Sequence, residues 1–263
     1  MFGGDPARYV DRITEQIGSI SPSDLQHIFH PSEPNEAFNL ITITEPGPGS
    51  RSVCRKRAAS RPAFEIVWDH RIRHRVSDMR YQYNVLRLSP DTTPAANWAF
   101  ELRMHDLLRR GNPIRLTYQD LQLPQSEERP LDKGGRVCIG RYYRLQATDA
   151  STINSLFFFN PPGKSSPILL AFQITRDEEC HINEETLRRI DGLDLSPHTN
   201  VRKFFVVVTP DDIQPKIEVP NALFGGTVIM LVMITTTSSH VGFCTIKSLY
   251  LVDHRYRTFS AIH

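Results

Sequence analysis

The chain has 263 residues, 40% hydrophobic and 23% charged, which is ordinary globular composition and enough for one large domain or two modest ones. A net charge of +2 names no partner, but Arg51 to Arg80 carries nine Lys/Arg against three Asp/Glu. The four cysteines (Cys54, Cys138, Cys180 and Cys244) form no C-x-x-C pair, so a reduced, intracellular protein of cytoplasm or nucleus is expected. Met1 to Pro6 lacks an apolar signal region. The most apolar run, Thr227 to Ile234, falls short of the ~18–20 residues of a bilayer span, so no membrane partner is expected and a core strand is.

In chain order, residues 1–45 are polar, with helices expected near Pro6 to Gln16 and after Ser23, and a short β-branched strand at Leu40 to Thr44. Glu45 to Ser52 reads as a Pro/Gly loop, and Pro62 to Asp69 fits helix or strand. The clearest helix has Thr93 as N-cap and Pro94 in its first turn. Phe100, Met104, Leu107 and Leu108 form one apolar stripe, and Gly111 ends the helix. Ile114 to Tyr118 is a short strand. Ile153 to Phe159 and Pro167 to Thr175 are apolar strands joined by turn residues, hence an antiparallel hairpin. A helix follows from Asn183 to Gly192, and Lys203 to Thr209 reads as a strand buried on both faces. The order gives an α/β fold, a mixed central sheet flanked by helices with a smaller N-terminal region. Residues 1–90, 91–215 and 216–263 form the expected divisions, the last a divergent set of strands or a tail.

Carboxylates converging on Mg²⁺ would let such a hairpin cleave phosphodiesters, because the ion polarises phosphate and acidifies bound water. The helix supplies Glu101, the first strand Asn154 where an acid is wanted, and the second strand Gln173 and Thr175 on one face. As metal ligands, Glu101, Asn154 and Gln173 bring one charge between them. The plainer readings are a solvent-facing helix acid for Glu101 and hydrogen-bonded strand residues for the others. Asp149 is a substitute acid or a turn residue. Cys180 with His181 lacks a second pair at zinc spacing, and Asp69, His70 and His74 lack a serine partner for a triad. Arg55, Lys56, Arg57 and Arg61 form a nucleic-acid contact, an import signal or a solvated basic loop. Arg71, Arg73 and Arg75 alternate as on one strand face.

The run Trp98 to Gly111 (WAFELRMHDLLRRG) resembles the "FE…H…L…G" helix of the Crinkler-type (Crinkler/RHS-type) effector proteins of fungi and oomycetes. Tyr142 and Tyr143, the Ile153–Leu156 and Ala171–Thr175 motifs, and His181 extend the similarity in order over about residues 35–210. The resemblance implies a restriction-endonuclease-like, PD-(D/E)xK module with Glu101, Asn154, Gln173, Thr175 and His181 as site residues. It implies Mg²⁺ as cofactor, DNA as partner, and delivery into a host as an alternative to residence in its own cell. The family has an acid where Asn154 stands, whereas Gln173 and Thr175 match its own variant of the acid-x-Lys motif. No G-x-x-x-x-G-K-[ST] loop occurs, so no nucleotide partner is expected, and the run after Gly226 departs from the family. Three functions follow as expectations. One is a degenerate nuclease-like module that binds or weakly cleaves DNA. The second is a non-catalytic module binding nucleic acid or a host or self protein. The third is an inert remnant.

Overall fold

Strands β7 (Ser155–Phe159) and β8 (Ile168–Ile174) form the expected antiparallel hairpin, both strands buried along their whole length. The computed structural model describes residues 6–20, 42–47, 50–58, 60–69, 83–84, 86–88, 92–111, 113–116, 119–131, 135–145, 153–210, 213, 215–218, 229–236, 244–252 and 260–262. The expected helix after Ser23, together with Asp149, His70, His74 and Arg71 to Arg75, lies outside them. The chain divides into two compact units, Met1–Leu102 and Arg103–His263.

In the first unit, helix α1 (Pro6–Ser19) buries Ile13 and Ile17 at i, i+4 spacing, and Ile20 just beyond its end joins them. Strands β1 (Thr42–Gly47) and β2 (Ser50–Ala58) make a two-stranded antiparallel ribbon. Most of the expected loop at Glu45 to Ser52 is therefore strand. Among the described residues this sheet has two strands, so each is an edge strand, where a proline such as Pro46 is tolerated. Pro62 to Asp69 resolves as helix: α2 (Arg61–Val67) is capped by Ser60, whose side chain accepts from the Ala63 N–H at 3.3 Å. Ala63, Phe64 and Val67 pack with the α1 isoleucines and with Ala95, Ala96, Ala99 and Leu102 of α3 (Thr93–Arg109). The unit boundary falls within α3. Thr93 is its first helical residue, one position inside the expected cap.

The second unit is built on a ten-stranded mixed sheet. Its remaining strands are β3 (Pro113–Leu116), β4 (Gln119–Gln122), β5 (Glu128–Pro130), β6 (Arg141–Arg144), β10 (Arg202–Pro210), β12 (Ile229–Thr236), β13 (Cys244–Val252) and β14 (Ser260–Ile262). The order is β4-β3-β13-β12-β10-β8-β7-β6-β5, with β14 on β13. β10 lies parallel to both β8 and β12 and is buried from Phe204 to Pro210, as its apolar run predicts. The strands from Ile229 onward join this sheet through β12. β9 (Glu179–His181) and β11 (Lys216–Glu218) pair separately.

One face of the hairpin, with Leu156, Phe158, Leu169 and Ala171, packs with Leu187 and Ile190 of α4 (Glu184–Asp191). Asn183 caps α4 by accepting from the Thr186 N–H at 2.7 Å, and Arg188 and Arg189 occupy its last turn. On the other face Tyr142 and Phe157 meet edge to face, and Tyr142 meets His105 of α3. Gly111 then ends α3 at φ +80°, where an added Cβ would stand 2.8 Å from the Gln125 nitrogen and 2.9 Å from the Leu123 oxygen. Both neighbours are backbone, so neither can move cheaply. Gly111→Ala is therefore expected to cost about 2 kcal/mol or more in urea unfolding, from backbone strain plus the clash. An unchanged midpoint would refute this account of the turn.

Candidate functional site

The carboxyl end of β8 brings together most of the residues singled out in the hairpin. One step beyond the Ser155–Phe172 pair, the register sets Asn154 opposite Gln173. The Asn154 N–H donates to the Phe172 carbonyl at 2.8 Å, and its own carbonyl accepts from the Leu145 N–H at 2.9 Å. Its side-chain Oδ1 accepts from the Ile174 N–H at 2.6 Å. The amide thus continues the β7–β8 ladder past the last strand residue and satisfies a backbone donor that would otherwise lack its cross-strand acceptor.

Gln173 is buried, and its Oε1 accepts from the Cys180 thiol at 3.0 Å. Burial pushes the Cys180 pKa up from an ordinary 9.0 to about 11; the nearby Asp177 charge adds to this and the hydrogen bond to Gln173 opposes it. Cys180 is therefore a neutral donor that holds the Gln173 oxygen. Thr175 donates its backbone N–H to Val208 and its hydroxyl to Asp177 Oδ2 at 2.9 Å, while the Asp177 N–H returns a bond to Thr175 Oγ1. Asp177 is a residue the sequence reading missed. Its only signal was its place two residues past Thr175. His181 is not brought to this cluster. The strand alternation in β9 buries Cys180 and turns His181 outward, its side chain 61% exposed and 3.8 Å from Glu179.

Glu101, expected as a metal ligand with a solvent-facing acid as the plainer alternative, belongs to the first unit and is buried. Arg61 donates to Glu101 Oε1 at 2.7 Å and to Glu65 Oε1 at 3.0 Å. Burial works against the Arg61 charge, yet Glu101 and then Glu65 outweigh it and raise its pKa above the ordinary value. Two residues expected in separate roles, one as metal ligand and one as phosphate contact, are thus each other's partner. Arg55, Lys56 and Arg57 stand on β2 opposite Glu45, Thr44 and Ile43, so the expected basic loop is a basic strand.

Two separate pieces of the family-like pattern also meet. His105 Nδ1 and the Tyr142 hydroxyl lie 2.5 Å apart, both buried between α3 and the sheet. This is a core hydrogen bond between groups 37 residues apart in sequence.

The donors around Asn154, Gln173 and Thr175 do not fit a Mg²⁺ centre. Among the described residues they are two amide oxygens and a hydroxyl, each already bonded within the chain, with the Asp177 carboxylate bound to Thr175. Mg²⁺ gives up water reluctantly and is held through carboxylates or substrate phosphates in octahedral geometry. Among the described residues, no group of three His, Cys, Asp or Glu side chains could hold a metal ion. In comparisons with known proteins the chain matches no family model, no curated protein and no solved structure.

Asn154 is expected to behave as a structural acceptor. Asn154→Ala should cost about 1–3 kcal/mol, because it strands the Ile174 N–H, while Asn154→Asp keeps an acceptor and most of the stability. Equal losses in both variants, measured by urea unfolding, would refute this. The raised Cys180 pKa carries its own sign. Folding favours the neutral thiol, so its contribution is complete below about pH 9 and is lost as pH rises toward 11. A stability profile that falls over that window in wild type but not in Cys180→Ala is expected, and coincident profiles would count against it.

Proposed function

We propose that this chain is a metal-independent nucleic-acid-binding module with a restriction-endonuclease-like core, related to the Crinkler-type effectors. The observation that carries the reading is the internal use of the hairpin's polar groups. Asn154 serves the ladder and Gln173 serves Cys180, so neither contributes charge to a metal. The Glu101 carboxylate is engaged by Arg61. Binding then falls to the basic strand. An antiparallel two-stranded ribbon is a shape that the DNA major groove admits. The β1–β2 ribbon carries Arg51, Arg55, Lys56 and Arg57 on one strand. Phosphate neutralisation by such residues supplies sequence-independent affinity without any metal. Among the described residues no helix is long and apolar enough to cross a membrane.

The reading is tested by fluorescence anisotropy with a duplex oligonucleotide in EDTA. Affinity should fall steeply with salt. Replacing Arg55, Lys56 and Arg57 together by Gln should flatten the log–log salt slope by about 2–3 units, near one per lost phosphate contact. Supercoiled plasmid should stay uncut with Mg²⁺ or Mn²⁺. Cleavage that needs the metal and disappears in Glu101→Ala would establish the nuclease reading instead. Binding that is absent or indifferent to salt, in protein that melts cooperatively, would leave a protein partner as the better account.

A further inference from the structure

A second charged feature lies in the other unit. Asp106 sits in the last turns of α3 with only 4% of its side chain exposed. Three arginines on the same helix face converge on it. Arg103 Nη1 and Arg110 Nη2 lie 3.4 and 2.9 Å from Oδ2, and Arg109 Nη2 lies 3.1 Å from Oδ1. Their side chains are 24%, 53% and 28% exposed, in that order, so the guanidinium groups stand over a carboxylate that is itself covered. The spacings are i−3, i+3 and i+4, which a helix places on one side.

A buried carboxylate needs a counter-charge, but one cation would supply it. Arg109 and Arg110 alone bring two positive charges to this one carboxylate, a formal surplus of one over Asp106. The helix carboxyl end offsets about half a charge of this, and the balance stays positive. The guanidinium forks of Arg109 and Arg110 also carry more donors than the Asp106 carboxylate can accept. Each guanidinium carries five N–H groups in a planar fork, whereas a carboxylate offers about four lone-pair sites. Such forks match the paired oxygens of a phosphoryl group, and their hold on Asp106 fixes them before any ligand arrives.

We infer that the Asp106-anchored arginines, chiefly Arg109 and Arg110, form an anion site for a phosphoryl group. A nucleic-acid backbone and free phosphate share this chemistry. The nucleic-acid source rests on the function proposed above; the site itself does not.

Wild-type full chain is treated with phenylglyoxal and its modified arginines are mapped by mass spectrometry. The treatment is done alone, with inorganic phosphate, and with a duplex oligonucleotide. Protection of Arg109 and Arg110, with exposed Arg188 on α4 reacting as before, is the expected result. Protection by the oligonucleotide alone assigns the site to a polynucleotide backbone. Protection by phosphate alone upholds the site and assigns it to a small phosphoryl ligand. Equal modification under all three conditions overturns the inference. In the anisotropy assay, Arg109→Gln with Arg110→Gln should flatten the salt slope by about 2 units, and Arg188→Gln should leave it unchanged. An unchanged slope in a cooperatively melting double variant overturns the nucleic-acid assignment. The phenylglyoxal arm uses wild-type protein, so it decides the question even if the variant does not fold. Wild-type protein that binds no DNA while phosphate still protects Arg109 and Arg110 would sink the proposed function and leave this site standing.

Discussion

Burial of the β7–β8 hairpin on both faces constrains everything attached to it. A strand covered on two sides has no solvent to satisfy its polar groups, so each one must find a partner within the chain. From Ser155 to Phe159 and from Ile168 to Ile174 the ladders to neighbouring strands provide backbone partners, and the fully buried Ser155 hydroxyl is the exception, with no partner among the described residues. Difficulty arises where the ladder stops. There Asn154 extends it by one acceptor, Gln173 is held by Cys180, and Thr175 exchanges hydrogen bonds with Asp177. The resulting network is dense and almost without charge. Its one carboxylate is exposed, and its thiol is kept neutral by the same burial that orders the amides.

Helix α3 shows the same constraint with charges present. It buries Glu101, His105 and Asp106, and each is met by a partner: Arg61, Tyr142 and the arginine cluster respectively. Removing one member of such a pair leaves the other stranded, which costs more than the pair contributes. The pairing of Glu101 with Arg61 and of His105 with Tyr142 therefore follows from packing, whichever ligand the protein takes. Arg109 and Arg110 are the exception, since one cation would already meet the charge of Asp106.

Local patterns made much of this fold legible. The hairpin followed from two apolar runs around turn residues, α4 from Asn183 and Gly192 at its ends, and β10 and β12 from their β-branched runs. Periodicity also found α3 but misjudged its polar residues. Phe100, Met104 and Leu108 marked one stripe, whereas burial extends around most of the helix. The reason is distance along the chain. Arg61 lies 40 residues before Glu101, and Tyr142 lies 37 residues after His105, so no local rule could pair them. The parallel pairing of β10 with β8 and β12 was invisible for the same reason. Glu45 to Ser52 misled in the opposite sense, because Pro and Gly are poor in central strands but are tolerated in edge strands such as those of a two-stranded ribbon.

The Asn154 position separates two demands that coincide in a metal-dependent nuclease. The backbone there needs an acceptor for the Ile174 N–H, and a metal centre would need a negative charge. An aspartate meets both demands and an asparagine only the first. A chain released from catalysis would keep what the ladder requires and lose what the metal requires. Asn154 has that character, and so does Gln173, which supplies an oxygen to Cys180 without supplying charge. On the proposed reading, the polar pattern persists in this sequence because it terminates a buried hairpin. The basic charge that would meet a nucleic acid lies elsewhere, on β2 and at the end of α3, where the half-exposed Arg110 keeps its charge at little cost.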